Sequence, residues 1–206
     1  MSKLLKLLKE KKLSLIVELP ENRVELAQEA EREGADALLV KQDYAPEDLL
    51  GAVKIPVGVD LSHLEKLSDK EIKSYEKFDF INFHFEVLAL LAKQKRSGRI
   101  IALNEHYTLD RLIGLESLGA QAVDAAIVPI SQASRELVVG DLQNYIAIAI
   151  SSNLPVIIPT QRKILPSEVA IIADTGAKGL LLTPNVLGEN LKKLKEYRAA
   201  VDDLGE

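Results

Sequence analysis

Ionisable and amide side chains stand at the ends of several short apolar runs in this sequence. Two carboxylates, Glu18 and Asp60, and the amine of Lys41 end the first three runs, and His84 and Asn104 end the next two. Carboxylates and imidazoles are the groups that most often move protons near neutral pH. If the run ends meet in the fold, these five residues form a proton-transfer site.

Three of these residues have more than one interpretation. Glu18 is either a general acid or base, or a carboxylate that caps the next helix. Lys41 binds an anionic substrate, forms a Schiff base where burial lowers its pKa, or only pairs with Glu18 or Asp60. Asp60 activates a proton, ligates a metal, or is a structural carboxylate at the rim of the site.

The three histidines follow neighbouring runs of the sequence. His84 lies between two phenylalanines at a run end and is a candidate site residue, His63 reads as a solvated loop residue, and His106 follows Asn104 closely. Histidines near Asp60 form a possible divalent-metal site. The HxH and HxxxH spacings are absent, however, and we predict no metal.

A second polar group follows the last two apolar runs. It consists of Thr160 and Arg162 after one run and Thr183 and Asn185 after the other, with Lys163 adding positive charge. Hydroxyls, amides and cations beside a helix start are suited to holding a phosphate group. We therefore predict substrate or phosphate binding by Thr160, Arg162, Thr183 and Asn185, although Thr183 or Asn185 would also serve as helix caps.

Apolar runs alternate with helical patterns along the whole chain. Three helical patterns end in the same Gly-Ala pair, at Gly34, Gly119 and Gly176, where glycine can take a left-handed conformation. The runs are almost continuously apolar, as in parallel strands covered on both faces. The predicted strands are 13–18, 37–41, 55–60, 79–85, 99–104, 123–129, 155–160 and 179–182. The predicted helices are 3–12, 22–34, 46–53, 68–78, 86–95, 108–119, 139–151, 166–176 and 190–204.

Eight such units in one chain predict a single (β/α)₈ barrel over residues 1–206, an α/β fold whose active sites lie where strands end. On this fold Ser131 also lies near a strand end. The alternative, an open doubly wound sheet, is disfavoured because ELPENR after the first strand contains no Gly-rich phosphate loop. Residues 3–12 are amphipathic and predict a short helix covering the barrel, the alternative being a helix on a membrane surface.

Composition and net charge argue against several classes of protein. The 206 residues carry a net charge of −5, which does not favour a nucleic-acid partner. No run approaches the roughly 18 apolar residues of a membrane span, and the start has no secretory leader. Cysteine is absent, which excludes disulfides and thiolate chemistry. We expect a cytoplasmic protein, and high Glu and Lys content favours a thermophilic source.

Two stretches resemble a known family. ELPENRVELAQEAEREGADALLVKQDYAPEDLLGAVKIPVGVD looks like the first three units of indole-3-glycerol-phosphate synthase and its ribulose-phosphate-binding barrel relatives, and GAKGLLLTPNVLG resembles their final phosphate-binding unit. The resemblance implies a (β/α)₈ barrel with Glu18 in a catalytic position. Leu19-Pro20 and Asp60 stand where the synthase has catalytic lysines, so a diverged relative with another substrate is expected.

Three functions follow from this sequence. The first is lyase, isomerase or epimerase chemistry on a small phosphorylated metabolite, without a cofactor. The second is an FMN-binding oxidoreductase that holds the FMN phosphate in the last two loops. The third is a non-catalytic barrel with a binding role, in line with the missing lysines. A homo-oligomer is a further possibility.

Overall fold

Eight parallel strands close into a barrel in chain order, with the last strand hydrogen-bonded to the first. The computed structural model describes residues 2–42, 47–64, 68–85, 95–189 and 191–205. The predicted (β/α)₈ barrel is confirmed. Its strands are β1 Ser14–Glu18, β2 Ala37–Lys41, β3 Val57–Asp60, β4 Phe80–His84, β5 Gly98–Ala102, β6 Ala122–Asp124, β7 Val156–Pro159 and β8 Gly179–Leu182.

Helices lie before, between and after the strands. They are α1 Lys3–Glu10, α2 Val24–Arg32, α3 Glu47–Ala52, α4 Asp69–Ser74, α5 Leu115–Leu118, α6 Val139–Ser151, α7 Val169–Asp174, α8 Pro184–Leu187 and α9 Leu194–Asp202. Short 3₁₀ turns lie at Tyr75–Lys77, Leu109–Leu112, Ile130–Gln132 and Pro166–Glu168. Nearly all of the predicted helix 86–95 lies outside the described residues. In the part of the chain that the structure describes, no helix is both long and apolar enough to cross a membrane.

The repeated Gly-Ala pairs end helical segments as predicted. Gly34, Gly119 and Gly176 all have positive φ angles, of 97°, 107° and 91°. A side chain at Gly34 would also collide with a neighbour, because an added Cβ would lie 2.6 Å from Cδ of Arg198. Glycine at these positions turns the chain into the next strand.

Several predicted boundaries were wrong, three of them by the most. The helix expected over 108–119 is a 3₁₀ turn followed by the short α5, because Gly114 interrupts it with a φ of 79°. The last helix begins at Leu194 rather than near residue 190 and follows the left-handed Leu191. The sixth strand ends at Asp124 rather than at residue 129.

Side chains from alternate strand positions fill the inside of the barrel. Ile16, Leu39, Phe80 and Ile157 belong to this inner cluster. Gly58 on β3 makes room for the Phe80 ring, since a Cβ at residue 58 would lie 2.2 Å from a ring carbon. The barrel centre is therefore an apolar layer around a small cavity, which the polar side chains of Asn82 and Asp124 also line.

The first helix closes the other end of the barrel. Leu4, Leu5 and Leu8 of α1 are buried and belong to the same inner cluster as the strand residues. Asp79, just before β4, fixes the start of α1 by accepting hydrogen bonds from the Ser2 hydroxyl at 2.6 Å and the Lys3 backbone N–H at 2.8 Å. The predicted covering helix is confirmed, and its apolar face is used inside the protein.

Candidate functional site

Glu18 and Lys41 lie together at the carboxyl end of the barrel. They end β1 and β2, which pair in parallel, and Lys41 Nζ lies 3.9 Å from Glu18 Oε1. The side chain of Glu18 is 20% exposed, whereas that of Lys41 is 49% exposed. Glu18 is thus a half-buried carboxylate with a cation on its solvent side. Lys41 lacks the burial that Schiff-base chemistry needs.

Asn22 holds the backbone of Lys41 in place. Its side-chain Nδ2 donates to the Lys41 carbonyl at 2.7 Å, and its Oδ1 accepts from the Lys41 backbone N–H at 3.2 Å. This double hydrogen bond fixes the end of β2 against the loop that follows β1. Asn22 was predicted only as a helix start, and the helix in fact begins at Val24.

Next to this pair, a row of polar side chains crosses the barrel. Lys41, Asp60 and Asn82 are register partners on β2, β3 and β4, so their side chains form one row. Asn82 Nδ2 donates to Asp124 Oδ2 on β6 at 2.8 Å, and a longer contact of 3.4 Å joins it to Asp60 Oδ1. The amide therefore links two carboxylates on opposite sides of the interior.

Both ends of the Asn82–Asp124 pair retain unused hydrogen-bonding capacity. Each residue is 4% exposed, and each lines a small internal cavity beneath the barrel mouth. Among the described residues, Asn82 Oδ1 and Asp124 Oδ1 have no hydrogen-bond partner. Buried acceptors without a donor are uncommon and mark a place for a proton, a water or a ligand hydroxyl.

The carboxyl groups of Glu18 and Asp124 have strongly raised pKa values. Burial raises the pKa of Glu18 to about 7, and the negative charge of Asp60 adds to this, while Lys41 opposes it. Burial likewise raises the pKa of Asp124 to about 7, opposed by the hydrogen bond from Asn82 and supported by Asp60 and Glu18. Both groups therefore change protonation near neutral pH, as a general acid or base requires.

The remaining predicted proton-transfer residues lie at the same end of the barrel. His84 is half-buried at the end of β4. Asn104 lies two residues beyond β5, and its Oδ1 accepts the backbone N–H of His106 at 3.0 Å, which makes it part of a local turn. His63 and His106 are exposed on loops. Within the described ranges, no group of three or more His, Asp and Glu residues is arranged to hold a metal ion.

The predicted phosphate-binding residues bond mainly to one another. Thr160 Oγ1 accepts the Thr183 backbone N–H at 2.8 Å, and the two hydroxyl oxygens are 3.1 Å apart. Asn185 Nδ2 donates to the Thr160 carbonyl at 2.9 Å, and Asn185 Oδ1 accepts from the Ser134 hydroxyl. Thr160 is fully buried, whereas Thr183 is half-buried and Asn185 is exposed. These contacts tie the loops after β6, β7 and β8 together.

Arg162 lies beneath this loop cluster. Its Nε is 2.8 Å from Asp141 Oδ2 on α6, and its NH2 group donates to Asp141 Oδ1 at 2.9 Å. The NH1 group donates to the backbone carbonyl of Gln132 at 2.9 Å, and the NH2 group also donates to Gln132 Oε1 at 3.0 Å. Arg162 is 6% exposed and Asp141 is equally buried. The guanidinium therefore links α6 to the β6 and β7 loops.

Sequence reasoning missed Asp124 and Asp141. Asp124 was read as part of a longer strand, because the apolar AAIVP segment follows it. The available signal was its alternation with Ala122, which places both side chains inside the barrel. Asp141 was read only as a residue near a helix start, and its pairing with Arg162 joins segments that are 21 residues apart.

Parallel strands with intervening helices and polar groups at the carboxyl ends define a (β/α)₈ barrel of the kind that carries enzyme sites. No family model and no curated protein sequence matches the chain. Solved structures do match it. Thiamine phosphate pyrophosphorylase from Pyrococcus furiosus has a TM-score of 0.70 at 18% identity, with 95% of this chain and 98% of that chain covered.

Two other solved barrels are similarly close. N-acetylmannosamine-6-phosphate 2-epimerase from Clostridium perfringens has a TM-score of 0.67 at 19% identity, covering 89% of this chain and 90% of that one. 3-Hexulose-6-phosphate synthase from Salmonella typhimurium has a TM-score of 0.69 at 14% identity, covering 93% and 100%. At these identities the match establishes the shared fold. The closer kinship with indole-3-glycerol-phosphate synthase stays a prediction.

Proposed function

We propose that this protein is an enzyme that moves a proton on a small phosphorylated metabolite, in lyase, isomerase or epimerase chemistry. The observation that carries the proposal is Glu18, a half-buried carboxylate whose pKa is raised to about 7 at the mouth of the barrel. An acid or base works best when its pKa lies near the working pH. Three of the similar barrels are named after phosphate esters, namely thiamine phosphate, N-acetylmannosamine-6-phosphate and 3-hexulose-6-phosphate. These names support the substrate class.

Each charged residue has a distinct role in this proposal. Glu18 in its ionised form takes a proton from the carbon next to a carbonyl group of the substrate. Lys41, 3.9 Å from Glu18 and half-exposed, faces the negative charge that then develops on oxygen. Asp124 in its protonated form returns a proton or holds a substrate hydroxyl, with Asn82 fixing its orientation.

We place the phosphate group at the loops after β7 and β8. Thr183 and Asn185 reach the surface there, and Lys163 is an exposed cation in the β7 loop. Thr160 and Arg162 are buried behind them and act as positioning residues rather than direct ligands. The proposed ligands of the phosphate are thus Thr183, Asn185 and Lys163.

Exchange of a substrate C–H for solvent deuterium tests the proposal without knowledge of the product. A panel of short-chain ketose and aldose phosphates in D₂O is followed by proton NMR, with the unphosphorylated sugars as matched compounds. We expect the wild-type protein to catalyse exchange in at least one phosphorylated compound and in none of the sugars. Glu18→Gln should slow that exchange by about 10²–10⁴-fold, because it removes the base and keeps the side-chain shape.

Glu21→Gln is the matched control. Glu21 is an exposed carboxylate three residues further on, paired with Arg23, and its loss should leave the exchange rate unchanged. Absence of exchange with every phosphorylated compound would contradict the proposal. So would exchange that survives Glu18→Gln in a protein with an unchanged circular dichroism spectrum.

A further inference from the structure

The helix α6 has an unusual surface for a helix on the outside of a barrel. Its thirteen residues, VGDLQNYIAIAIS, include one charged side chain, Asp141, which is buried against Arg162. By contrast, α2 on the other side of the barrel carries Glu25 and Arg32 on its outer face. A helix with apolar residues on nearly every side is normally covered.

The exposed side of α6 belongs to a wider apolar surface. Ile150 is 79% exposed and Val139 is 72% exposed, and Ile113 and Leu118 of the preceding segment are 76% and 64% exposed. That segment follows β5, the strand next to β6, and it packs against α6 through the turn Leu109–Leu112. We call this surface the α6 face; its members are Leu109, Ile113, Leu118, Val139, Ile146 and Ile150.

The area of the α6 face is that of a protein interface. From the exposed fractions, its six side chains present about 650 Å² to solvent, above the largest apolar patch of most monomers and close to the roughly 800 Å² that each partner of a stable dimer buries. Burying such a surface twice removes about 1,300 Å² of mainly apolar area from water. The surface is therefore large enough to hold two protein chains together.

The pattern along α6 suits a twofold contact with itself. Val139 and Ile150 lie near the two ends of the exposed stripe, and the amides of Gln143 and Asn144 are exposed between them. In an antiparallel pair, each apolar end would meet the opposite end of the other helix. The central amides would meet each other, and an amide both donates and accepts hydrogen bonds.

Charge favours the α6 face over the other surfaces of the chain as the place where two copies meet. The protein has a net charge of −5, so charged faces of two copies repel each other. The exposed side of α6 carries no charge, and the segment that carries Leu109, Ile113 and Leu118 also exposes charges of both signs, on Asp110, Arg111 and Glu116. We propose that this protein forms a homodimer through the α6 face, with the two α6 helices antiparallel across a twofold axis. None of the residues of the proposed site is a member of the α6 face.

Analytical ultracentrifugation of the purified protein over a range of concentrations tests the proposal. We expect a species of twice the chain mass of 22.7 kDa. Ile150→Lys should raise the dimer dissociation constant by at least about 100-fold, because it places two charges in the apolar contact. Gln28→Lys adds the same charge to the exposed surface of α2 and should leave the dimer intact.

Cross-linking locates the contact independently of affinity. The chain contains no cysteine, so Gln143→Cys introduces a single thiol near the proposed twofold axis, and Gln28→Cys introduces one on α2. A short bismaleimide should join two chains of Gln143→Cys and leave Gln28→Cys as single chains. A wild-type protein that sediments as a monomer throughout, a dimer that survives Ile150→Lys, or equal cross-linking of the two cysteine variants overturns the proposal.

Discussion

The two sides of the barrel mouth use polar residues in opposite ways. On the charged side, Asn82 and Asp124 are buried and each has one oxygen without a hydrogen-bond partner among the described residues. The other members of this side are Glu18, Lys41 and Asp60. On the closed side, hydroxyls, amides and an ion pair bind one another; its members are Asp141, Thr160, Arg162, Thr183 and Asn185. Satisfied polar groups fix the shape of a site, and unsatisfied ones keep their reactivity. The closed side therefore stabilises the fold and fixes the loops that carry the proposed phosphate ligands Thr183 and Asn185, whereas burial of carboxyl groups on the charged side lowers stability.

The largest stability effect should come from the closed side. Asp141→Asn removes the carboxylate facing Arg162, and a buried guanidinium without its counter-charge should lower the free energy of unfolding by about 3–5 kcal/mol. Urea unfolding followed by circular dichroism measures this loss. Asp202→Asn breaks an exposed ion pair with Arg198 and should cost less than about 1 kcal/mol. Equal losses in the two variants would show that the closed side has no special structural role.

A substitution on the charged side should raise the free energy of unfolding instead of lowering it. The pKa of Asp124 is raised by burial to about 7 in the folded protein, against about 4 in the unfolded chain. The unfolded chain therefore loses this proton first, and stability falls as the pH rises from about 4 to about 7. Asp124→Asn removes that penalty, and we expect it to stabilise the protein at pH 8 by about 2–4 kcal/mol relative to its effect at pH 4.

Urea unfolding of the wild-type protein and of Asp124→Asn at several pH values measures the difference. The difference in free energy of unfolding between the variant and the wild type should rise between pH 4 and pH 7, in favour of the variant, and stay constant above that range. A variant whose stability follows the wild-type pH dependence in parallel would mean that Asp124 ionises in the folded protein as readily as in water.

The smallest effect concerns the charges around Glu18. Lys41 lowers the pKa of Glu18 and Asp60 raises it. Lys41→Met should therefore move the Glu18 titration to higher pH, and Asp60→Asn should move it to lower pH. Carbon-13 NMR of the Glu18 carboxyl group follows this titration without any substrate. Shifts in the same direction for both variants would mean that the two charges do not act on Glu18 as the geometry indicates.

The fold was predictable because its signals are local. Each strand is a short apolar run, and Gly34, Gly119 and Gly176 end the preceding helical segments through their own backbone conformation. Predictions failed where an apolar stretch continues past the end of an element, as after Asp124, or where a single Gly114 divides one helical pattern. After Asp124, packing rather than the apolar pattern decides where the strand ends, whereas Gly114 divides the helical pattern through its own backbone conformation.

The site was predictable only at the strand ends. Glu18, Lys41 and Asp60 are the last residues of consecutive strands, so the barrel topology alone places them next to one another. The partners of Arg162 were not predictable, because Asp141 reaches it from a helix whose angle depends on the whole packing. Hydrogen bonds across the interior, such as that between Asn82 and Asp124, depend in the same way on closure of the barrel.

Closure of the barrel also determines when α1 can take its place. Its buried leucines contact an inner cluster that includes Phe80 of β4, Ile157 of β7 and Leu181 of β8. This surface is complete only after β8 has paired with β1, so α1, which precedes the first strand, depends on the last strand for its full contact surface. Contacts between such distant parts of the chain slow folding, because a long loop must close before they form. We therefore expect the docking of α1 to be a late step of folding.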